Sequence, residues 1–417
     1  MSKAAGRKTA LVNIGLLATP LGLQARVGKA QGELRLCRHA FVLMDKGIIS
    51  QVGEGEPSGE MLDGREVVDA GGGLVTPGLV DAHTHLVFGG WRAHELKLKL
   101  SGVPYLDILA AGGGILSTVW ETRAASEDEL FQKAEKALDG MMALGTTTCE
   151  AKSGYGLNLK DELKQLRIVS ALNKRHEMDL VSTLMAAHAV PGEYRNDRKG
   201  YIKLIISSII PAAAKEKLAE YCDVFCEKGV FSVEESREIL LAGQNAGLKS
   251  KIHADEIDAT GGSELAGEVG AVSAEHLIAI RDSGIRALAE GGTIACLLPA
   301  TSFYLGKPFA RARDLITAGV PVAIGSDFNP GSSPGYSLQF CMNLARHSYR
   351  LTPEEILCAV TLNAAAAIGM AGLIGSIESG KQADMLVWDA DDLEYLCYRF
   401  GSNLVKTVIK RGRRVLG

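Results

Sequence analysis

The chain has 417 residues, enough for one large domain and a smaller one around an extensive core. Its 45 basic and 49 acidic residues leave a formal charge of −4, and no arginine-rich run stands out, which argues against a nucleic-acid partner. Eight scattered cysteines imply no disulfide framework in a chain of this size; Cys222 and Cys226 are close but lack a second pair, and both are expected as buried thiols.

The first 70 or so residues read as short strands and turns. Lys3 to Lys8 and the apolar run after them resemble a targeting signal only weakly, because Asn13 and Pro20 interrupt the run; a strand is expected instead. "FVLMDKGIISQVGE" and "REVVDAGGGLVTPG" are β-branched or alternating and punctuated by glycine and proline. No helix is expected there. No apolar run approaches the ~20 residues that span a bilayer, so a cytoplasmic protein without a membrane partner is predicted.

Beyond this region short apolar runs alternate with helical stretches, the signature of βα units and a parallel sheet. Eight strands are predicted: "GLVDAHTH", "GTTTCEAK", "DLVSTLMAAHAV", "YCDVFCEK", "LKSKIHADE", "AVSAEHL", "GTIACLLP" and "VPVAIGSD". Among the helices, "SEDELFQKAEKALDGMMALG" opens with a Ser-x-x-Glu capping box and "SVEESREILLAGQNAG" ends at glycine. Eight units of this size match an α/β fold of the (β/α)8, TIM-like type. After Gly380, "ADMLVWDA" and "LVKTVIKRGRRV" return to strand character. The prediction is a barrel over 76–378, with 1–75 and 379–417 combining into a small β-sandwich domain.

Active sites of such barrels form at the C-terminal ends of the strands. The polar residues ending predicted strands are His83, His85, Glu150, Lys152, His188, His253, Asp255, Glu256, His276 and Asp327, and they include five of the nine histidines. His83 and His85, two apart, project to one face of a strand. With His253 and Asp327 they make three imidazoles and a carboxylate, a set that suits zinc or iron better than magnesium or calcium. Glu256, just past its strand, is placed to move a proton of water at the ion. Asp255 and Asp258 fit loop or capping roles better. His276 is placed to polarise a substrate carbonyl or steady an oxyanion.

At these residues the chain resembles the amidohydrolase superfamily, through "VDAHTH", "HADE", "AEHL" and "SDFNPGSSP". Within it the resemblance to the imidazolonepropionase family covers nearly the whole chain. It is carried by "AHTHLVFGGWRAHEL", "AGGGILSTVWETRAASEDEL", "KSGYGL", "AAHAVPGEY", "KIHADEIDATGGSELAG" and "DFNPGSSP". The resemblance implies hydrolysis of 4-imidazolone-5-propanoate to N-formimino-L-glutamate in histidine degradation. It implies one divalent or trivalent ion, Zn or Fe, held by His83, His85, His253 and Asp327, with Glu256 activating water and also contacting substrate, and His276 assisting. Arg92, Tyr155, His188, Asn329, Gly331 and Ser332 would hold the substrate, and a homodimer is implied. A guanidinium at position 92 suits a propionate, as a planar bidentate partner. Lys152 lies inside "KSGYGL", so an ion pair with Glu150 or another carboxylate is expected rather than a role bridging two metals. Trp91 and Ser326 (the latter where threonine is frequent) depart from the family pattern. The rival expectations are a related deaminase or cyclic-amide hydrolase and, from another class, an inactive scaffold barrel.

Overall fold

The computed structural model describes residues 8–103 and 113–417. The basic start of the chain before Lys8 lies outside the described residues, as do positions 111 and 112, which open the "AGGGILSTV" segment.

Five strands come first: β1 (Lys8–Thr19), β2 (Arg35–Asp45), β3 (Ile48–Glu54), β4 (Glu66–Asp69) and β5 (Leu74–Pro77). Eight follow with helices between them: β6 (Leu79–Asp81), β7 (Thr146–Lys152), β8 (Asp179–Ala187), β9 (Tyr221–Cys226), β10 (Lys249–Ala254), β11 (Ser273–His276), β12 (Ile294–Leu297) and β13 (Val322–Ile324). β14 (Met385–Trp388), β15 (Val405–Lys410) and β16 (Arg413–Leu416) close the chain.

All eight predicted inner strands are present, in sequential parallel order from β6 to β13. Residues of β7 and β9 are buried throughout, as strands covered on both faces must be. The ring closes at the site itself: Asp327 N donates to His83 O (3.0 Å) and His85 N to Phe328 O (2.9 Å). The regular part of β6 therefore ends at Asp81, and His83 and His85 lie in an extended segment joined to the last loop by a Thr84–Phe328 bridge. Between strands the two predicted helices form as Glu127–Ala143 and Val233–Asn245, each with the full capping box, from Ser126 and Ser232.

The terminal strands form one mixed sheet in the order β16-β15-β14-β5-β1-β2-β3, with β4 also on β1. The sheet bends over a core to which Val42, Met44, Ile49, Val75, Met385, Val387 and Ile409 contribute. Its β3 edge meets the segment that leads into β14, where Ile49 N donates to Lys381 O (2.8 Å) and Ala383 N to Gly47 O (2.9 Å). Two short helical turns, Gly28–Gly32 and Gly59–Leu62, lie in the N-terminal region where no helix was expected. Each is too short to show a helical period in sequence; the second is set by Ser58, whose side chain accepts from Met61 N. Leu16, Leu74, Leu386 and Trp388 turn away from the small core and join the barrel's apolar cluster. Lys410 on β15 reaches Asp384 (2.6 Å) and Asp179 at the start of β8 (2.8 Å), tying sheet to barrel.

Candidate active site

His83, His85, His253, His276 and Asp327 converge at the barrel mouth. The His83 ring centroid lies 4.6 Å from that of His253 and 5.3 Å from that of His85. Asp327 Oδ1 is 3.3 Å from His83 Nε2 and 3.6 Å from His85 Nε2. Ligand atoms of His83, His85 and Asp327 lie within 4.8 Å of one another, as do those of His83, His253 and His276. His83 Nε2, His253 Nε2 and His276 Nδ1 are buried and have no hydrogen-bond partner among the described residues. Buried polar atoms are normally partnered. A cluster of bare imidazole nitrogens beside a carboxylate has the composition of a transition-metal site, so the residues fit the ion that the sequence implies.

Strand charges to which the sequence reading gave no role fix these rings. Glu275 Oε2 accepts from His83 Nδ1 (2.7 Å), and Asp223 accepts from His253 Nδ1 (3.1 Å). Burial raises both carboxyl pKa values, but Lys251 and Lys152 on Glu275, and His253 and Lys152 on Asp223, outweigh it and hold both below the ordinary range. Ionised carboxylates only accept, so each ring carries its hydrogen on Nδ1 and presents the Nε2 lone pair to the site. Lys152 pairs with Glu150 (2.9 Å) and Asp223 (2.7 Å), as the ion-pair expectation required, and Lys251 pairs with Glu150 (3.0 Å). With Lys251 also 3.5 Å from Glu275, an unbroken buried chain runs from His83 through Glu275, Lys251, Glu150, Lys152 and Asp223 to His253. Lys152, Lys251 and Glu275 each fall in a quoted motif, but no motif announces this buried chain, because its members alternate over four strands and meet only through the register.

Glu256 Oε2 is 3.6 Å from His276 Nε2. Burial, then Asp327, pushes the Glu256 carboxyl up to about 8. Desolvation holds His83, His85 and His276 neutral, well below the usual histidine value. His276 and Asp327 adopt left-handed backbone (φ 69° and 53°), as does Asp255 (φ 50°). Such conformations in residues other than glycine gather at functional sites. Asp255 caps its own loop, accepting from Thr260 N (3.1 Å) and Ser263 Oγ, and Asp258 is exposed. Asp81 accepts from Ser326 N (2.9 Å) and Oγ (2.5 Å), tying β6 to the loop after β13. Serine at 326 thus keeps the hydroxyl that the contact uses.

The expected substrate residues fall in two groups near this cluster: Arg92 with the 329–332 loop, and His188 with Tyr155 against His85. The Arg92 side chain is 5% exposed, and its Nε and Nη1 have no hydrogen-bond partner among the described residues. Glu95 Oε2 stands 3.8 Å from Nε. A Cβ at Gly331 would collide with the guanidinium, so glycine is what lets Arg92 pass. Asn329 holds its own loop together. Its Nδ2 donates to Asp327 O (2.7 Å) and Ser332 Oγ (2.8 Å), and its Oδ1 accepts from Gly331 N and Ser332 N (both 2.8 Å). The amide is thereby spent on shaping the loop. His188 stacks on His85 (4.9 Å, 14°) and meets the Tyr155 ring at 5.3 Å. Its Nδ1 lies 3.1 Å from Gly154 O, and burial lowers its pKa to about 3, so the ring is neutral with Nε2 an acceptor. Trp91 packs edge-on against Phe88 at 4.9 Å, outside the cluster.

A model of the amidohydrolase family matches residues 74–415. The chain is 50% identical over 406 residues to the imidazolonepropionase of Fusobacterium nucleatum, covering 97% of this chain and 98% of that protein. It is 49% identical over 395 residues to that of Alkaliphilus metalliredigens, covering 94% and 93%. Among solved structures, E. coli guanine deaminase superposes with a TM-score of 0.75 at 15% identity, over 98% of this chain and 99% of that one. A mutant atrazine chlorohydrolase from Arthrobacter aurescens TC1, complexed with zinc and atraton, also gives 0.75, at 16% identity over 98% and 95%. These two likenesses are of fold alone. The sequence matches go further, and the chain belongs to the amidohydrolase family and, within it, to the imidazolonepropionases.

Proposed function

We propose that the chain hydrolyses 4-imidazolone-5-propanoate to N-formimino-L-glutamate, with His83, His85, His253 and Asp327 holding one zinc or iron ion. The observation that carries this reading is the juxtaposition at one barrel mouth of bare imidazole nitrogens and a buried, under-bonded guanidinium. The first group suits a cation and the second suits the substrate's carboxylate. When bound, the ion supplies Lewis acidity that makes water a competent nucleophile near neutral pH.

Arg92 anchors the propionate, with Gly331 and Ser332 shaping the pocket and Asn329 holding their loop. His188 Nε2 accepts from a ring N–H, and Tyr155 walls the ring. His276 faces the carbonyl oxygen and steadies the charge that develops there. Glu256 takes a proton from water as its oxygen bonds to the carbonyl carbon. The ring C–N bond then breaks as Glu256 returns the proton to the leaving nitrogen, and the carboxylic acid formed at the carbonyl carbon releases its remaining proton to solvent and becomes a carboxylate.

A homodimer in the cytoplasm is also expected, the location supported by eight buried cysteines with free thiols. Sheet membership supports a two-domain division of 1–75 with 379–417 and of 76–378, with the first step falling two residues later, after Pro77 at the end of β5. The direct test is turnover of 4-imidazolone-5-propanoate against guanine by purified protein. Turnover of the first alone is expected, and turnover of guanine alone overturns the proposal.

A further inference from the structure

The loop that carries Arg92 begins with two glycines, and something must hold it still. Gly89 N donates to Thr122 Oγ1 (2.9 Å) in the helix Ile115–Ala124, and Gly90 takes positive φ (56°). From the next helix, Glu127–Ala143, Lys133 Nζ donates to Gly90 O (2.8 Å). The same ammonium sits 4.0 Å from the Phe88 ring centroid and 4.7 Å from that of Trp91. Phe88 in turn packs against Phe328 (5.6 Å), beside the loop that contains Gly331. A partly buried cation held over two aromatic faces is attracted by both ring quadrupoles, and the contact is directional. Burial brings the ammonium down to about 8 against the pull of Glu121, so it remains protonated at neutral pH.

We propose that Lys133 is a positioning residue for substrate recognition: it clamps Phe88, Gly90 and Trp91 so that the guanidinium of Arg92 meets the substrate carboxylate ready-placed. The proposal rests on the reading of Arg92 as the propionate anchor. It also gives the unusual Trp91 a role, as the outer plate of the clamp. Lys133 acts through Phe88, Gly90 and Trp91 and is none of the residues proposed to hold substrate or ion, so its loss acts on binding before it acts on the chemical step.

The test is steady-state kinetics on 4-imidazolone-5-propanoate for Lys133→Met, Lys133→Arg, Arg92→Gln and the Lys133→Met/Arg92→Gln double variant, with thermal melts to confirm folding. Lys133→Met is expected to raise KM about tenfold with kcat within about threefold, a split that a general loss of structure does not give. Lys133→Arg is expected to recover most of the loss, because a guanidinium also stacks on aromatic faces. Without Arg92 the clamp has nothing to position, so Lys133→Met is expected to add less than about twofold in the double variant. A KM unchanged by Lys133→Met while Arg92→Gln raises it overturns this inference alone, as do independent, multiplying effects. A KM unchanged by Arg92→Gln overturns the anchor reading beneath it.

Discussion

A bound cation would reverse the protonation of Glu256. Burial and Asp327 push its carboxyl up to about 8 without the ion, and a neighbouring positive charge favours the ionised form that accepts a proton. Glu256→Gln keeps the shape and removes the base. It is expected to lower kcat by about 10²–10⁴ while metal content, measured by plasma mass spectrometry, stays at wild-type level. Wild-type kcat in this variant excludes the role. Gly331→Ala is expected to raise KM by displacing Arg92 while leaving metal content alone; an unchanged KM contradicts the packing argument. At this scale the sequence was informative wherever a residue's place at a strand end predicted its direction, as for His253 and His276, whereas His83 and Asp327 lie just past the regular strands. It was mute on why position 331 is glycine, since the guanidinium comes from a distant loop at the other end of the barrel sequence. Nor does a linear motif reveal that the Asn329 amide holds its own loop through Asp327 O, Gly331 N and Ser332.

The strands do more than present ligands at their tips. Below the mouth, β7, β9, β10 and β11 carry Glu150, Lys152, Asp223, Lys251 and Glu275 in wholly buried positions. Removing one partner from such a chain leaves an uncompensated charge, at about 3–5 kcal/mol, and loosens an imidazole. Lys152→Met and Lys251→Met are each expected to weaken metal retention by about 10–100-fold, read as the rate of metal loss to a chelator, together with a lower Tm. Retention equal to wild type shows that the carboxylates orient the rings unaided. Alternation with helical stretches made these strands legible, and near-unbroken apolar runs did so for several of the eight, because burial on both faces demands them. Their charges were harder to read: Asp223 and Glu275 sit within recognisable strands, but their importance depends on which strand lies alongside.

At the scale of the molecule, the chain leaves the small sheet at Pro77, enters the barrel at Leu79 and returns at Met385. The Lys410 clasp joins the two bodies. Burial raises the Asp179 carboxyl, but Lys410, joined by Arg411 and Gln382, more than offsets it and the folded pKa lies below the ordinary value. The sign follows: the clasp's stabilisation is complete above the unfolded pKa of ~3.9 and fades as pH falls through the lower folded value. The urea midpoint of Lys410→Met should therefore lie below that of wild type at pH 6–7, with the gap narrowing near pH 3. An equal gap at both pH values contradicts the ionic origin. The overall division was legible because strand character switches to βα alternation and back again. The bending of the terminal strands into one continuous sheet was not, since it depends on β1 pairing with β2 on one edge and β4 and β5 on the other.

Catalysis by this fold requires one convergence of ligands, and anomalous diffraction from crystals at the zinc and iron edges examines it most directly. One peak per chain is expected, about 2.0–2.2 Å from the Nε2 atoms of His83, His85 and His253 and from an Asp327 oxygen. A peak elsewhere, or none in fully active protein, would contradict it.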